Sequence, residues 1–170
     1  MNNNSVFQPI FTYVRTTHEA DELLNHIDTL LSRLYTQETK PFESVAYSIL
    51  DPQIAKVIHV VFLELHFSWS HPEEIKMFFT NLKDEMKRFE VITLTLAFTP
   101  TSDAINAFSN WTRSNISLTT LLEINVDQHL LGGAIIIYQG NYLDLSVRKK
   151  LDEYFIKHGK DILEKVDVRH

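Results

Sequence analysis

Several residue types that support chemistry or covalent stabilisation are scarce in this sequence. Cysteine is absent from the 170 residues, which excludes disulfides, thiolate nucleophiles and cysteine-ligated metal sites. Only four glycines occur, and all of them lie at or after position 132. The preceding residues therefore contain no glycine-rich phosphate-binding loop, which excludes nucleotide binding through a P-loop or a Rossmann fingerprint.

Long hydrophobic runs and an excess of positive charge are also missing. The longest apolar stretch, residues 57–67, is interrupted by His59, Glu64 and His66, and it is shorter than the roughly 18 residues of a spanning helix. We therefore expect no membrane span. The N-terminal stretch MNNNSVFQPIFTYVRTT has no secretory-signal pattern, and we interpret it as a short mobile or docking arm. Sixteen basic against 22 acidic residues give a net charge of −6, which disfavours nucleic acid as a partner.

The residues that are present indicate a folded chain, with 44% hydrophobic and 22% charged positions. Apolar periodicity predicts four helices before residue 89: about 17–35, 42–50, 54–67 and a helix opened by Ser70 and Pro72. Thr16 and Glu19 have capping-box spacing. The run 54–67 suits either a buried helix or a strand, and we predict a helix. The first helix carries an apolar stripe of Leu23, Leu24, Ile27, Leu30, Leu31 and Leu34.

From Val91 the apolar period changes to that of a strand. We predict a strand at VITLTLAFT, a helix capped by Thr101 or Ser102 with an inward face, a strand at 119–125 and a hairpin of 134–138 with 142–144. The predicted inward face of the helix capped by Thr101 or Ser102 comprises Ala104, Ile105, Phe108 and Trp111. A final helix from Ser146 carries Val147, Leu151, Tyr154, Phe155 and Ile162 on one side. The predicted fold is α+β: a helical bundle-like domain over residues 1–88, then a small mixed β-sheet domain with two helices over residues 89–170.

The sequence contains no recognisable pattern of catalytic or metal-binding residues. None of the eight histidines has a partner at i,i+4, and HExxH is missing, so we predict no metal site. Ser146 follows Asp144 without a G-x-S-x-G context, and a helix N-cap explains it better than a nucleophile does. Adjacent carboxylates such as Glu73 and Glu74 point in different directions around a helix. We therefore predict no catalytic, cofactor-binding or metal-binding residues and no cofactor.

The most distinctive segment is VDQHLLGGAIIIYQGNYLDLSVRKKL, residues 126–151. It combines an acidic turn, two adjacent glycines, an apolar strand, a glycine turn and Asp-x-Ser-Val before an amphipathic helix. This pattern resembles the C-terminal signature of the delta subunit of F-type ATP synthases, whose mitochondrial counterpart is the oligomycin sensitivity-conferring protein. The matching positions are Asp127, Gly132, Gly133, Asp144, Ser146, Val147 and Leu151, and we add Gly140 of the turn as a structural residue. VITLTLAFTPTSDAINAF is similar to the strand-then-helix element of that family.

The resemblance covers about residues 89–160 and implies a mechanical function. It implies a non-catalytic connector in the peripheral stalk, which holds the catalytic head against rotation during proton-driven ATP synthesis. The implied partners are the b-type stalk subunit for the C-terminal part and the N-terminal segments of the alpha subunits for the helical part. The family has six helices in its N-terminal bundle, whereas this sequence predicts four. Either the bundle is reduced, with the arm at residues 7–14 contributing to it, or this half has a different function. The resemblance also places the protein on the cytoplasmic face of a bacterial membrane, or on the equivalent face of an organelle inner membrane.

For the alpha-subunit segments, we predict a groove around the helix at 17–35, because its apolar stripe is broad for a small bundle.

Two other classes of function remain open from the sequence. One is another stator or adaptor of a rotary ATPase or an export apparatus, although these usually carry a long charged helix that positions 1–88 do not contain. The other is an enzyme with a dispersed active site, which a titratable cluster in a deep pocket would favour.

Overall fold

Five helices form the N-terminal part of the chain. The computed structural model describes the backbone of residues 4–36 and 41–167, and side chains for residues 6–36 and 41–157. The helices are α1 (Asn4–Phe11), α2 (Thr17–Arg33), α3 (Phe42–Ile49), α4 (Pro52–Glu64) and α5 (Pro72–Met86). Lys40 and Thr39, which precede Pro41 in the sequence, lie outside the described residues. The apolar run after residue 54 is thus a helix, as predicted.

The starts of α2 and α4 follow from local hydrogen bonding. Thr16 Oγ1 accepts the backbone N–H of Glu19, and the Glu19 carboxylate accepts the N–H of Thr16, which completes the predicted capping box. Asp51 Oδ1 accepts the N–H groups of Gln53 at 2.8 Å and Ile54 at 3.3 Å. These side chains satisfy backbone donors that a helix leaves free at its first turn.

The interpretation of the N-terminal stretch as a mobile or docking arm is wrong for the described residues. Residues 4–11 form α1, and the side chains of Phe7, Ile10 and Phe11 are buried. Phe7 lies against Phe78 of α5, with ring centroids 5.3 Å apart in an edge-to-face arrangement. The arm is part of the core because it supplies aromatic surface that the other helices leave uncovered.

The first hydrophobic core lies among these helices. Phe62, Phe78 and Phe79 are its largest fully buried side chains, and the ring of Phe62 contacts that of Phe78 at 4.7 Å. Trp69, in the connection between α4 and α5, stacks on Phe62 with centroids 4.3 Å apart. Burial of each such aromatic side chain contributes about 2–3 kcal/mol.

The C-terminal part contains a four-stranded mixed sheet with the order β2-β1-β3-β4. The strands are β1 (Glu90–Leu96), β2 (Thr120–Val126), β3 (Ala134–Tyr138) and β4 (Asn141–Asp144), and α6 (Ser102–Asn115) connects the first two. Glu90 N donates to Thr119 O, and Asp127 N donates to Leu96 O. Because these bonds join like ends, β1 and β2 run parallel, and the intervening helix is the crossover that parallel strands require.

The other two strand pairs are antiparallel. Leu94 lies opposite Ile136, and Ile136 lies opposite Leu143. Along this row exposure rises from 6% at Leu94 to 52% at Leu143. A small second core of Ile92, Leu94 and Leu122 lies under the central strands, whereas the edge strand β4 keeps its apolar side chains exposed.

The hairpin between β3 and β4 has the predicted strands but a different turn geometry. Gln139 and Gly140 have φ values of 47° and 77°, so the two turn residues are Gln139 and Gly140, and Asn141 already belongs to β4. Two successive residues with positive φ suit the right-handed twist of the strands. A short 3₁₀ turn over Gln128–Leu130 precedes β3, and α7 (Val147–Asp167) follows β4.

The predicted inward face of α6 is wrong. Trp111 is 60% exposed and Phe108 is 39% exposed, whereas Ser109 and Thr112 are buried. Arg113 explains the difference, because its guanidinium donates to the carbonyl oxygens of Phe11 and Val14, both at 2.6 Å. It also donates to Thr12 O at 3.1 Å. The polar face of α6 thus donates hydrogen bonds to carbonyl oxygens at the end of α1 and in the residues that follow it.

The chain divides into two compact units. The first comprises Met1–Val91 with Asn106–Leu121, and the second comprises Ile92–Ile105 with Leu122–His170. The first is the helical unit, which contains the larger core and most of α6. The second is the sheet unit, which contains most of the sheet, the signature segment at residues 126–151 and α7.

Candidate partner-binding surfaces

The signature segment folds into a closed set of contacts within the sheet unit. Val147 N donates to Gly132 O at 2.9 Å, and Leu145 N donates to Ala134 O at 2.9 Å. These bonds continue the β3–β4 ladder beyond its strands and place the double glycine against the start of α7. Residues 132–134 and 145–147 therefore lie side by side, although ten residues separate their nearest ends in the sequence.

Gly133 lies where no side chain fits. Its φ is +76°, and an added Cβ atom would lie 2.3 Å from Leu145 O. At Gly132 a Cβ atom would lie 3.0 Å from Cγ2 of Val147. The double glycine therefore allows the backbone before β3 to approach the backbone that leads into α7.

Asp127, Asp144 and Ser146 act as local caps. Asp127 Oδ1 accepts the N–H of His129 at 2.9 Å, and Ser146 Oγ accepts the N–H of Lys149 at 3.1 Å in the first turn of α7. Asp144 Oδ1 accepts the N–H of Ser146 at 2.9 Å. Hydrogen bonds from the hydroxyl and the backbone N–H of Ser146 lower the pKa of Asp144. The acidic and hydroxyl groups of the signature thus hold a strand-to-helix turn, and none is arranged as a nucleophile with a base.

The α7 stripe, which we define as Val147, Leu151, Tyr154 and Phe155, is an exposed apolar surface. Its four side chains are 40%, 40%, 54% and 55% exposed. They recur at i, i+4, i+7 and i+8, which places them on one face of the helix over about 12 Å. The side chain of Ile162, which the sequence also places on this face, lies outside the described residues. The stripe has the residue types and spacing with which a helix packs against a partner helix.

The six α2 residues that the sequence offers as partner-binding candidates lie against the first core. Leu23, Ile27, Leu30 and Leu34 are between 0% and 9% exposed, and Leu24 and Leu31 are partly buried against the same core. A partner helix could reach only the last two without unfolding of the helical unit. Among the exposed apolar side chains elsewhere in the helical unit are Val60 and Leu63 of α4, which are 52% and 61% exposed; we name this pair the α4 patch.

Sequence periodicity did not identify the α4 patch or the exposed Phe108 and Trp111 of α6. The run that forms α4 is apolar on nearly every side, so its pattern does not distinguish the buried Ile58 and Phe62 from the exposed Val60 and Leu63. In α6 the apolar residues form a clear stripe, but only Ala104 and Ile105 of it are partly buried, whereas Phe108 and Trp111 are exposed. A polar group such as Arg113, whose partners are 99 to 102 positions away, leaves no local signal.

A cleft of about 520 Å³ in the helical unit is lined by charged, polar and apolar side chains. Its lining includes Arg15, Glu19, His26, Asp51 and Asn106. Glu19 is held by Arg15 and by the capping box, Asp51 caps α4, and Arg15 also donates to the Asn106 side chain. Within the described lining, no hydroxyl or carboxylate forms a hydrogen bond with His26. The polar groups of the cleft therefore hold helix ends in place.

Two further observations concern the part of the chain that the structure describes. There, no three histidine, aspartate or glutamate side chains are close enough together to hold a metal ion. No helix in residues 4–36 or 41–167 combines the length and the apolar character that crossing a bilayer requires.

Comparison with known proteins agrees with the resemblance carried by the signature segment. The family profile described as ATP synthase delta (OSCP) subunit matches residues 13–155, which is most of the chain. A search of curated proteins finds no match. Among solved structures, one chain of the cryo-EM structure of the Polytomella F-ATP synthase is similar, with 19% sequence identity and a TM-score of 0.36; the match covers 45% of this chain and 99% of that chain. The extent of the profile match shows that the chain belongs to the ATP synthase delta (OSCP) subunit family, and it is thus a peripheral-stalk subunit of an F-type ATP synthase.

Proposed function

We propose that this subunit is a non-catalytic connector that joins the catalytic head to the b-type stalk helices and supports proton-driven ATP synthesis. In this role it acts at the membrane face that carries the head, which is the cytoplasmic face in a bacterium or the equivalent face of an organelle inner membrane. Its task is to transmit force between two partners, so it needs two interfaces. The acidic and hydroxyl groups of the signature, which serve as caps, support a mechanical function.

The α7 stripe carries the proposal for the stalk contact. Four apolar side chains on one helix face are exposed in a chain that belongs to a stalk family. Charged side chains of both signs flank the stripe, as in the pair of Arg148 with Asp152 at 4.0 Å. Such a face suits an amphipathic helix that adds apolar contacts at the centre and charged contacts at the rim. We assign the b-type stalk helix to this surface.

The helical unit is the proposed site for the N-terminal segments of the alpha subunits. Of the six α2 candidates, only Leu24 and Leu31 offer a partly accessible surface, whereas Val60 and Leu63 of the α4 patch are more than half exposed. A segment that binds the helical unit would therefore use the α2 edge or the α4 patch. Variants can distinguish the two positions, because none of these four side chains is among the fully buried core residues.

Co-purification tests the stalk contact. The full chain, tagged and exchanged into the native membrane fraction, is expected to retain both alpha and b subunits after mild solubilisation. In the variant Leu151→Ser/Tyr154→Ser we expect the b subunit to be lost, since removal of two central apolar side chains weakens an interface by about 10- to 100-fold. Lys150→Ser/Glu153→Ser changes neighbouring positions of the same helix and serves as the matched control. Retention of b by the stripe variant, or its loss from the control, would contradict the assignment.

Calorimetry with synthetic alpha N-terminal peptides tests the head contact. The parent chain is expected to bind such a peptide at micromolar concentration. Leu24→Ser/Leu31→Ser should abolish the heat of binding if the α2 edge is the site, and Val60→Ser/Leu63→Ser should do so if the α4 patch is the site. Absence of binding by the parent chain at high micromolar concentration would count against a role of the helical unit in holding the head.

A further inference from the structure

His59 in the helical unit has two hydrogen-bond neighbours at the same ring nitrogen. Its Nδ1 atom lies 3.3 Å from the indole Nε1 of Trp69 and 3.2 Å from Oε1 of Glu43. Trp69 belongs to the connection between α4 and α5, whereas Glu43 lies on α3. One nitrogen atom of α4 therefore lies between two other elements of the fold.

The two contacts require opposite states of that nitrogen. The indole N–H is a donor only, so Nδ1 must carry a lone pair to accept it. The carboxylate of Glu43 is an acceptor, so Nδ1 must carry a proton to bind it. Because Nδ1 cannot have both at once, only one of the two hydrogen bonds exists in any given protonation state.

We propose that His59 is a proton-operated switch that bonds Trp69 when its Nδ1 is unprotonated and Glu43 when the ring is protonated. In the imidazolium form, Nδ1–H faces the indole N–H and repels it, while the ion pair with Glu43 forms. In the neutral form with the proton on Nε2, the indole bond forms and Glu43 is released. The switch goes beyond the proposed stalk function, because it needs no partner.

The surroundings of His59 favour such an exchange. Its side chain is 37% exposed and that of Glu43 is 42% exposed, so protons reach the pair from solvent. Among the described residues of neighbouring elements, the titratable groups that face His59 are Glu43 and Tyr47 of α3, the ring of Tyr47 lying 6.4 Å away. On α4 itself, the exposed Lys56 precedes His59 by one turn. Glu43 is therefore the charged group in direct contact.

Trp69 links the switch to the core and to the α4–α5 connection. Its ring stacks on the buried Phe62 at 4.3 Å and lies 6.2 Å from that of Phe42 at the start of α3. Loss of the His59 bond leaves the indole held by stacking alone. Protonation thus exchanges a bond between α4 and the connection for a bond between α4 and α3.

Tryptophan fluorescence tests the switch in the full chain. The sequence has two tryptophans, so Trp111→Phe leaves Trp69 as the only emitter. We expect Trp69 emission to fall by about 1.5-fold from about pH 8 to 5.5 in a single-proton transition, because the imidazolium quenches the adjacent indole. Adding His59→Gln should abolish the transition, because the variant removes the group that accepts the proton.

His66→Asn in the same Trp111→Phe chain is the matched control, since His66 is exposed and its φ of 58° suits asparagine; it should leave the transition unchanged. The indole ¹H–¹⁵N signal of Trp69 in the unmutated chain gives a second readout that does not depend on the stability of the variants. We expect this signal to move upfield as the pH falls and the bond is lost. A transition that survives His59→Gln, or an indole signal that does not change with pH, would overturn the proposal.

Discussion

At the scale of single residues, Gly133 has the strongest steric constraint in the sheet unit. Its φ of +76° lies in the left-handed region, and a Cβ atom there would lie 2.3 Å from Leu145 O, far inside van der Waals contact. The clash is with backbone, which a rotamer change cannot relieve. Two independent reasons therefore require glycine at this position, namely the left-handed backbone and the close approach.

We predict that Gly133→Val lowers the free energy of unfolding by about 1 to 3 kcal/mol or more, because strain and collision add. Gly133→Ala should have a loss of similar size, since the first carbon already collides. Urea denaturation measures both. The matched control is Gly140→Ala, because Gly140 has a φ of +77° but no atom within 4 Å of an added Cβ. That control should lose only about 1 kcal/mol for backbone strain, and an equal loss in both alanine variants would disprove the collision.

Glu19 gives the helical unit an acid-sensitive contact. Burial raises the pKa of Glu19, but hydrogen bonds from the side chain and backbone of Arg15 and from Thr16 outweigh it, so the net pKa lies below its ordinary value. A carboxyl whose pKa is lower in the folded state stabilises the fold above its unfolded pKa, and that stabilisation is lost as the pH falls through the folded pKa. The contribution of Glu19 is therefore complete at neutral pH, begins to fall near the unfolded pKa of about 4.3, and is lost as the pH passes below the lower folded pKa.

We predict that Glu19→Gln destabilises the chain more at pH 7 than at pH 3. At pH 3 the carboxyl of Glu19 is protonated in the unfolded chain, whose Glu pKa is about 4.3, so the parent loses part of the stabilisation that the glutamine variant lacks at both pH values. Urea denaturation of both chains at the two pH values gives the difference. In an Arg15→Gln background the pH dependence should shrink, because the Arg15 guanidinium supplies most of the bonds to the carboxylate, and only the backbone N–H of residue 15 remains as a donor from that position. Equal destabilisation at both pH values would contradict this explanation.

At the scale of elements, the apolar stripe of α2 contains some side chains that are buried in the core and others that are partly accessible at the surface. Leu30 has no exposed surface, whereas Leu31, the next residue, packs only partly against the same core. Both belong to the stripe that the sequence offers as a partner-binding groove. The observed burial assigns most of that stripe to the core of this chain.

We predict that Leu30→Ala lowers the free energy of unfolding by about 2–5 kcal/mol, because it leaves a cavity in a closed core. Leu31→Ala is the matched control and should cost about 1 kcal/mol or less, since part of its side chain is already in water. Thermal or urea denaturation of the two variants measures the difference. Comparable losses would mean that both leucines are equally enclosed, and α2 would then offer no surface to a partner.

Elements whose signals are local were predictable from the sequence, and those fixed by distant contacts were not. The capping box at Thr16 and Glu19, the Asp51 cap and the β3–β4 hairpin each depend on residues within a few positions of one another. The orientation of α6 depends on Arg113, whose partners lie at the end of α1. The burial of α1 likewise depends on a distant contact, that of Phe7 with Phe78 of α5. Periodicity identifies an apolar stripe but not the neighbour that covers it.

At the scale of the whole molecule, the α+β fold class was predictable because the apolar period is helical before residue 89 and includes strand spacing, interrupted by two helices, from Val91 onward. The candidate surfaces were predictable only in part. The signature segment marks a strand-to-helix turn whose glycines and caps the sequence explains, and the α7 stripe follows from helical spacing. The α7 stripe is exposed and most of the α2 stripe is buried because of tertiary packing, which a local sequence pattern does not encode.

A stator connector has a specific phenotype when its stalk contact fails. The torque of the rotor then turns the head as well, so the proton gradient no longer drives the catalytic cycle, while hydrolysis by the head continues without restraint.

In membrane vesicles carrying Leu151→Ser/Tyr154→Ser we expect proton-driven ATP synthesis to fall by about tenfold, which matches a contact weakened by about 1.4 kcal/mol or more. ATP hydrolysis should persist, and its ability to pump protons should fall together with synthesis. Vesicles with Lys150→Ser/Glu153→Ser should keep all three activities. Parallel loss of synthesis and hydrolysis in the stripe variant would indicate that the α7 stripe supports the head itself. Full synthesis in the stripe variant would show that α7 does not transmit force between the head and the stalk.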